Sequence, residues 1–365
     1  MKKQVQKYAL KLLSIGALLL LFLPSFAQYS VAPKAIGFHT TYGFILPHKI
    51  DFDELISGHV PGFEINYRHN YSGKKEWEKF YRLPNVGVTA QYFNFNNSKI
   101  GNAFGIAPYI SFNLIKKQKI SFQYRVATGL GFVSNKFNLE NNRKNLVIST
   151  NFNSYVDMLF QLHVKVAKRI ELQTGLALSH FSNAAFKIPN AGINIISASA
   201  GFSFDLGRLV VINNYSFPIV EKKWRYLVWT GGFLKETNPV ESKKFYAQTL
   251  SFNALKRISH KSSLGGGMDL MLDNSIPQRN KFNLQAPSSP FRAGFNVAYS
   301  LHFGKFSIPI QQGIYFIDSF RGDGLFYTRV GWRYHVNKKL IVNMTLKTHF
   351  ASADYLELGF GYFLK

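Results

Sequence analysis

From about Ala35 onward the chain alternates apolar and polar positions in segments of ten or so residues, separated by polar or glycine-containing turns. Alternate side chains of a strand stand on opposite faces, so each segment predicts a strand with one oily and one wet side. Ile120, Phe122, Tyr124, Val126, Thr128, Leu130 and Phe132 oppose Ser121, Gln123, Arg125, Ala127, Gly129 and Gly131. Val156, Met158, Phe160, Leu162 and Val164 oppose Asp157, Gln161, His163 and Lys165, and Leu340, Val342, Met344 and Leu346 oppose Asn343, Thr345, Lys347 and His349. A soluble sandwich alternates in the same way with its apolar face inward. Strand after strand carrying Arg, Asp, Gln, His and Lys on the polar side favours a transmembrane antiparallel β-barrel with a wet or hydrogen-bonded lumen.

About seventeen segments qualify, whereas bacterial single-chain barrels have even strand numbers, so at least one segment is misread. The weakest is Leu209 to Tyr215, which runs into Ser216-Phe217-Pro218 and reads as a turn or plug. No linker or fixed-period repeat interrupts the pattern, and the expectation is one all-β barrel domain, residues 28–365, of 12 to 16 strands. Its last segment, Tyr355 to Lys365, keeps Leu356, Leu358, Phe360, Tyr362 and Leu364 on one face, as a barrel-assembly signal would. The connections Ala167-Lys168-Arg169, Phe303 to Phe306 and Val336 to Lys339 are short, while Ser134 to Val147 and Asn274 to Ser289 are long and polar. Outer-membrane barrels keep short turns on the periplasmic side, so the run beginning at Ile170 climbs outward.

Ahead of the pattern, Lys2, Lys3, Lys7 and Lys11 precede the apolar run Leu12 to Leu23, which ends in Pro24-Ser25-Phe26-Ala27. That is the form of a cleaved secretory leader, residues 1–27; as a membrane anchor the run falls short of the roughly 20 residues a spanning helix needs. With no cysteine in the chain, neither disulfides nor thiolate metal sites are available. No cofactor or metal motif is present, and His48, His59 and His69 read as rim or solvent positions. The net charge of +25 falls to +21 when the leader's four lysines are removed. Basic residues dispersed over many turns of an exported chain point to an anionic lipid surface such as phosphorylated lipopolysaccharide, ahead of nucleic acid.

One run changes character at its end. Ile170, Leu172, Thr174, Leu176 and Leu178 form an apolar row that continues into His180 and Ser182. A base and a hydroxyl on a lipid-facing row are costly without a task. After a loop, a second alternating run begins at Asn194; antiparallel pairing of the two would bring Asn194 onto the face of His180 and Ser182. Glu64 and Glu357 fall on the opposite, lumenal parity and read as salt-bridge partners there.

The segment from His180 to Asn194, H-F-S-N-A-A-F-K-I-P-N-A-G-I-N, resembles the signature of the outer-membrane lipid A 3-O-deacylases, also known as acyloxyacyl hydrolases. A weaker likeness runs around Pro47-His48 and from Leu346 to Tyr355. The resemblance implies an outer-membrane serine esterase that hydrolyses an ester-linked acyl chain of lipid A or a similar envelope lipid. It makes Ser182 the nucleophile, His180 its base, and Asn183 an oxyanion donor, aided by a nearby N–H such as that of Ala185. Two positions depart from the family pattern: Asn194 stands where a glutamate orients the histidine, and Ala185 where a glycine is usual. Lys187 in the motif loop and Lys136, Arg143 and Lys144 in the preceding outer loop are candidates for lipid A phosphates, with a solvated basic loop as the plain alternative. The rival readings are a non-catalytic barrel serving as pore or structural protein, and an exported soluble sandwich that binds glycans.

Overall fold

The computed structural model describes residues 29–31, 33–47, 55, 58–207, 210–212, 220–240, 243–279, 289–350 and 352–364. The expected leader and His48 lie outside these residues. Among the described residues eighteen strands form, in chain order β1 (Tyr29–Val31), β2 (Lys34–Ile45), β3 (His59–Asn70), β4 (Asn85–Asn97), β5 (Gly101–Lys116), β6 (Ile120–Val133), β7 (Phe152–Lys165), β8 (Ile170–Ser182) and β9 (Ile193–Leu206). They continue as β10 (Val210–Ile212), β11 (Trp224–Glu236), β12 (Lys244–Arg257), β13 (Ser262–Asp273), β14 (Phe291–Phe303), β15 (Phe306–Ile317), β16 (Phe326–His335), β17 (Leu340–His349) and β18 (Ser352–Phe363).

The antiparallel all-β barrel class is as expected, but in place of one barrel of 12 to 16 strands, sixteen strands close as two cylinders of eight. Strands β2 to β9 form one and β11 to β18 the other, every neighbour antiparallel. The closing pairs are β2 with β9 and β11 with β18. Of the doubtful segment, the described part, Val210–Ile212, is in neither barrel and pairs with Tyr29–Val31 as a separate two-stranded sheet.

Both cylinders are polar inside and apolar outside. Leu130, Phe152 and Leu176 are 67%, 75% and 64% exposed, while Arg125, Asp157 and Glu64 are buried. That inversion of the soluble pattern suits hydrocarbon around the wall and excludes the sandwich reading. Eight strands leave an interior just wide enough for side chains to fill, and here they fill it. In the first barrel Arg125 donates to both oxygens of Glu64 at 2.5 and 2.8 Å and to Asp157 at 3.0 Å, while Ser179 Oγ donates to Asp157 at 2.8 Å. In the second, Arg329 bridges Glu357 at 2.6 Å and Asp269 at 3.2 Å, and Lys347 pairs with Asp354 at 2.7 Å. Glu64 and Glu357 thus occupy lumens, although Glu357 takes Arg329 as its partner while Lys347 takes Asp354.

The upper lumen of the first barrel changes to an apolar core of Phe93, Phe95, Tyr155, Phe181, Ile193 and Ile195. The β6–β7 loop contributes to it: Val147 and Ile148 are buried there, so the stretch expected to be a purely polar outer loop turns inward at its end. At the opposite, short-turn end, Tyr81 follows the short helix α1 (Glu76–Phe80) and packs on Phe303 of the second barrel with ring centroids 4.6 Å apart. Its hydroxyl donates to the Lys261 carbonyl at 3.3 Å.

Candidate functional site

Strict alternation along β8 turns Ala177, Ser179 and Phe181 into the lumen, where they are buried, and leaves Leu176, Leu178, His180 and Ser182 on the outer wall. On β9 the same rule buries Ile193 and Ile195 and turns Asn194 outward. Phe181 faces Ile193 in the ladder and His180 faces Asn194. The inward aromatic-aliphatic pair therefore fixes the register that brings the outward polar pair together; a slip of one residue would reverse both faces.

His180 Nδ1 lies 2.6 Å from Asn194 Oδ1. An amide oxygen accepts only, so Nδ1 carries the proton and Nε2 is the basic nitrogen. Ser182 Oγ accepts from two donors: the Asn190 side-chain amide at 2.9 Å and the Ala184 backbone N–H at 3.3 Å. Asn190 Oδ1 in turn accepts the Asn183 N–H at 3.1 Å. Asn183 Nδ2 is committed to Ser149 Oγ at 3.1 Å, Thr150 Oγ1 at 3.2 Å and the Lys187 carbonyl at 2.8 Å. Both kinds of donor on Asn183 therefore brace the loop, and those aimed at the serine belong to Ala184 and Asn190. Sequence reasoning left Asn190 unassigned; its position inside the S-N…P-N-x-G-x-N segment was the available signal.

The loop 183–192 is held in a costly shape. Ala184 and Ala185 have φ of 56° and 62°, a left-handed conformation that costs an L-residue roughly 1–2 kcal/mol. A glycine would take this shape without steric cost, and Ala185 bears the strain instead. Gly192, at φ 84°, lies under the histidine; a Cβ there would sit 2.8 Å from His180 Cε1. The β6–β7 loop ties the far side through Gly192 N–H to the Val147 carbonyl at 2.9 Å and Ser149 Oγ to the Lys187 carbonyl at 2.8 Å.

The near side is held by the second barrel. Glu236, the last residue of β11, donates its N–H to the Ala185 carbonyl at 3.1 Å, and its carboxylate accepts the Ile188 N–H at 3.4 Å. Lys244 Nζ pairs with that carboxylate at 2.8 Å, donates to the Phe186 carbonyl and lies 4.1 Å from the Phe186 ring centre. Glu236 is buried. Lys187 is half-buried, its N–H donating to Asn183 Oδ1 at 3.3 Å; Lys136, Arg143 and Lys144 are exposed on the β6–β7 loop.

The arrangement offers a hydroxyl with two hydrogen-bond donors on it, an imidazole of fixed tautomer two residues away on the same outward face, and a strained, braced turn beside them. These are the parts of an acyl-transfer site.

The family model for Lipid A 3-O-deacylase (PagL) matches residues 61–203, within the first barrel. The model for the C-terminal domain of acyloxyacyl hydrolases matches residues 224–365, the second barrel. No curated protein matches the sequence. Among solved structures, Neisserial surface protein A is similar at 11% identity over 48% of this chain and 98% of its own, with a TM-score of 0.32. A mutant Rh. blastica porin is similar at 7% identity over 91% of this chain and 100% of its own, with a TM-score of 0.18.

Proposed function

The chain belongs to the lipid A 3-O-deacylase and acyloxyacyl hydrolase family, and from that premise we propose that its first barrel is a serine esterase with Ser182 as nucleophile. Family membership assigns it to lipid A deacylation, an ester hydrolysis, in the outer membrane. His180 Nε2 takes the Ser182 proton as the oxygen attacks an acyl ester carbonyl. The oxyanion that develops is held by the Asn190 amide and the Ala184 N–H, with Ala185 continuing the turn and Asn183 bracing it. Collapse expels the sugar hydroxyl, which takes the proton from the His180 imidazolium. A water deprotonated by His180 then frees the fatty acid from Ser182. Asn194 supplies tautomer and orientation without a negative charge, so the imidazolium is less stabilised than it would be by a carboxylate.

The observation that carries this reading is the outward direction of His180, Ser182 and Asn194 from a wall otherwise fit for hydrocarbon. An ester of a membrane lipid reaches such a face laterally, whereas the packed lumens of both barrels argue against a pore. Lys187, with Lys136, Arg143 and Lys144, would meet the phosphates of the lipid A headgroup. Residues 1–27, with their lysines followed by an apolar run, would serve as a cleaved leader that delivers the chain to the outer membrane.

Mass spectrometry of lipid A incubated with the purified protein in detergent tests the assignment. Loss of one acyl chain is expected with the native protein and none with Ser182→Ala or His180→Ala. Equal deacylation by all three would overturn it.

A further inference from the structure

We infer that the short-turn end of the second barrel is a binding site for a phosphate group, of the kind carried by anionic phospholipid headgroups. The inference stands apart from the reading of Ser182, because it concerns the other barrel and the opposite end.

The buried cations higher in the lumens have carboxylate partners. Arg68 pairs with Glu171, Arg125 with Glu64 and Asp157, Lys235 with Asp273, Arg292 with Asp318, and Arg329 with Asp269 and Glu357. Arg225, Arg257 and Arg333 break that rule: among the described residues none of the three makes an ion pair. Arg225 donates to the Lys338 carbonyl at 2.6 Å and lies 3.6 Å over the Phe363 ring centre. Arg257 donates to the carbonyls of Ser259 at 2.8 Å and His260 at 2.5 Å. Arg333, one inward position above His335, spends Nε on Asn343 at 2.9 Å and keeps Nη2 buried without a hydrogen-bond partner.

These side chains gather where β11, β12 and β16 meet the short turns. Arg225 and Arg257 line a cavity of about 600 Å³ together with His302 and His335. Lys305 and Lys338 also line it, and the one carboxylate among its described lining residues, Glu76, is exposed. Trp77, Phe80 and Val336 give it an apolar wall.

Like charges at partial burial, with no counter-ion, are unfavourable unless an anion completes the set. Guanidinium groups present planar forks matched to phosphate. The short turns face the periplasm in outer-membrane barrels, so the cavity opens at the level of the inner leaflet, where phospholipid headgroups lie. The apolar wall beside it suits the glycerol and upper acyl part of such a lipid.

Native mass spectrometry of the full-length protein released from detergent tests the site, with phosphatidylglycerol, phosphatidylcholine and inorganic phosphate as probes. Retention of phosphatidylglycerol over phosphatidylcholine is expected, competed by millimolar phosphate if the phosphate group alone is recognised. The Arg225→Gln/Arg257→Gln variant is expected to weaken retention about tenfold or more, since a hydrogen bond to a charged group is worth roughly that factor. Arg225→Lys/Arg257→Lys should retain part of it, and heat-modifiable migration of each variant on a gel checks that both barrels have folded. Binding of inorganic phosphate without retention of phosphatidylglycerol would keep the site and assign it to free phosphate. Equal retention of the two lipids with no binding of phosphate, or undiminished retention by the folded glutamine variant, would overturn the inference.

Discussion

His180 Nδ1 and Asn194 Oδ1 meet at 2.6 Å across facing positions of β8 and β9. The relationship fixes the imidazole tautomer with a neutral acceptor where a carboxylate would do more. In the serine-protease triad, replacing the carboxylate by its amide costs about 10⁴ in turnover. The reverse exchange should therefore help. Asn194→Asp keeps the chain length and the 2.6 Å contact, and is expected to raise kcat on the order of tenfold or more. The longer Asn194→Glu should gain less, because its extra methylene must be accommodated. A kcat for Asn194→Asp at or below the native value would remove Asn194 from the orienting role.

Gly192 fits against the histidine ring only because it lacks a Cβ. Gly192→Ala would place a methyl 2.8 Å from His180 Cε1 at a φ of 84°. The backbone strain amounts to roughly 1 kcal/mol, a small effect on a barrel. Displacement of the imidazole is the larger consequence. Turnover should fall by on the order of tenfold to a hundredfold, with little change in melting temperature, read by lipid A mass spectrometry beside thermal unfolding.

Glu236 ties the second barrel to the nucleophile loop through the Ala185 carbonyl, the Ile188 N–H and Lys244. In Glu236→Ala the backbone bond survives and the carboxylate contacts are lost, freeing the turn that carries the Ala184 donor. A fall in kcat of about tenfold with KM nearly unchanged is expected, since the donor acts on the transition state more than on bound substrate. Glu236→Gln should recover part of the loss by keeping an acceptor for Ile188. A purely structural role would instead lower the melting temperature of all variants in step with activity.

Arg125 sits beneath the site on the lumenal side, holding Glu64 and Asp157. Removing one member of a buried ion network leaves uncompensated charge and costs about 3–5 kcal/mol. Arg125→Met should lower the unfolding temperature of the first barrel in detergent and leave the second unchanged, because the second has its own network around Arg329 and closes independently. A single transition shifting as a whole would show that the barrels unfold together.

Much of this was legible in the sequence because β-strand information is local. Alternation placed Arg125, Asp157 and Glu64 inside and His180 and Ser182 outside, and antiparallel pairing of the neighbouring β8 and β9 brought Asn194 onto the face of His180. Closure was not legible. Whether β9 turns back to β2 or runs on toward β11 depends on pairings from 150 positions apart, Ile45 with Ile195, to 172, Lys34 with Leu206, and a strand's own pattern is the same in either case. Val210–Ile212 could not be told from a barrel strand for that reason, although it pairs outside both barrels. Asn190 was hidden in a loop whose path depends on the left-handed Ala184 and Ala185. Glu236 and Lys244 were hidden because they reach the site from the other barrel. Val147 and Ile148 were obscured by the polar residues before them, although two adjacent β-branched residues near the loop's end were a sign of burial.

The most direct measurement of the central claim is the site of covalent capture by a serine-directed lipophilic phosphonate ester, read by peptide mass spectrometry of the detergent-solubilised protein. The account predicts one adduct, on Ser182, that is lost in His180→Ala and forms faster in Asn194→Asp. Labelling of a lumenal serine instead, or full deacylation of lipid A by a protein whose Ser182 remains unlabelled, would contradict it.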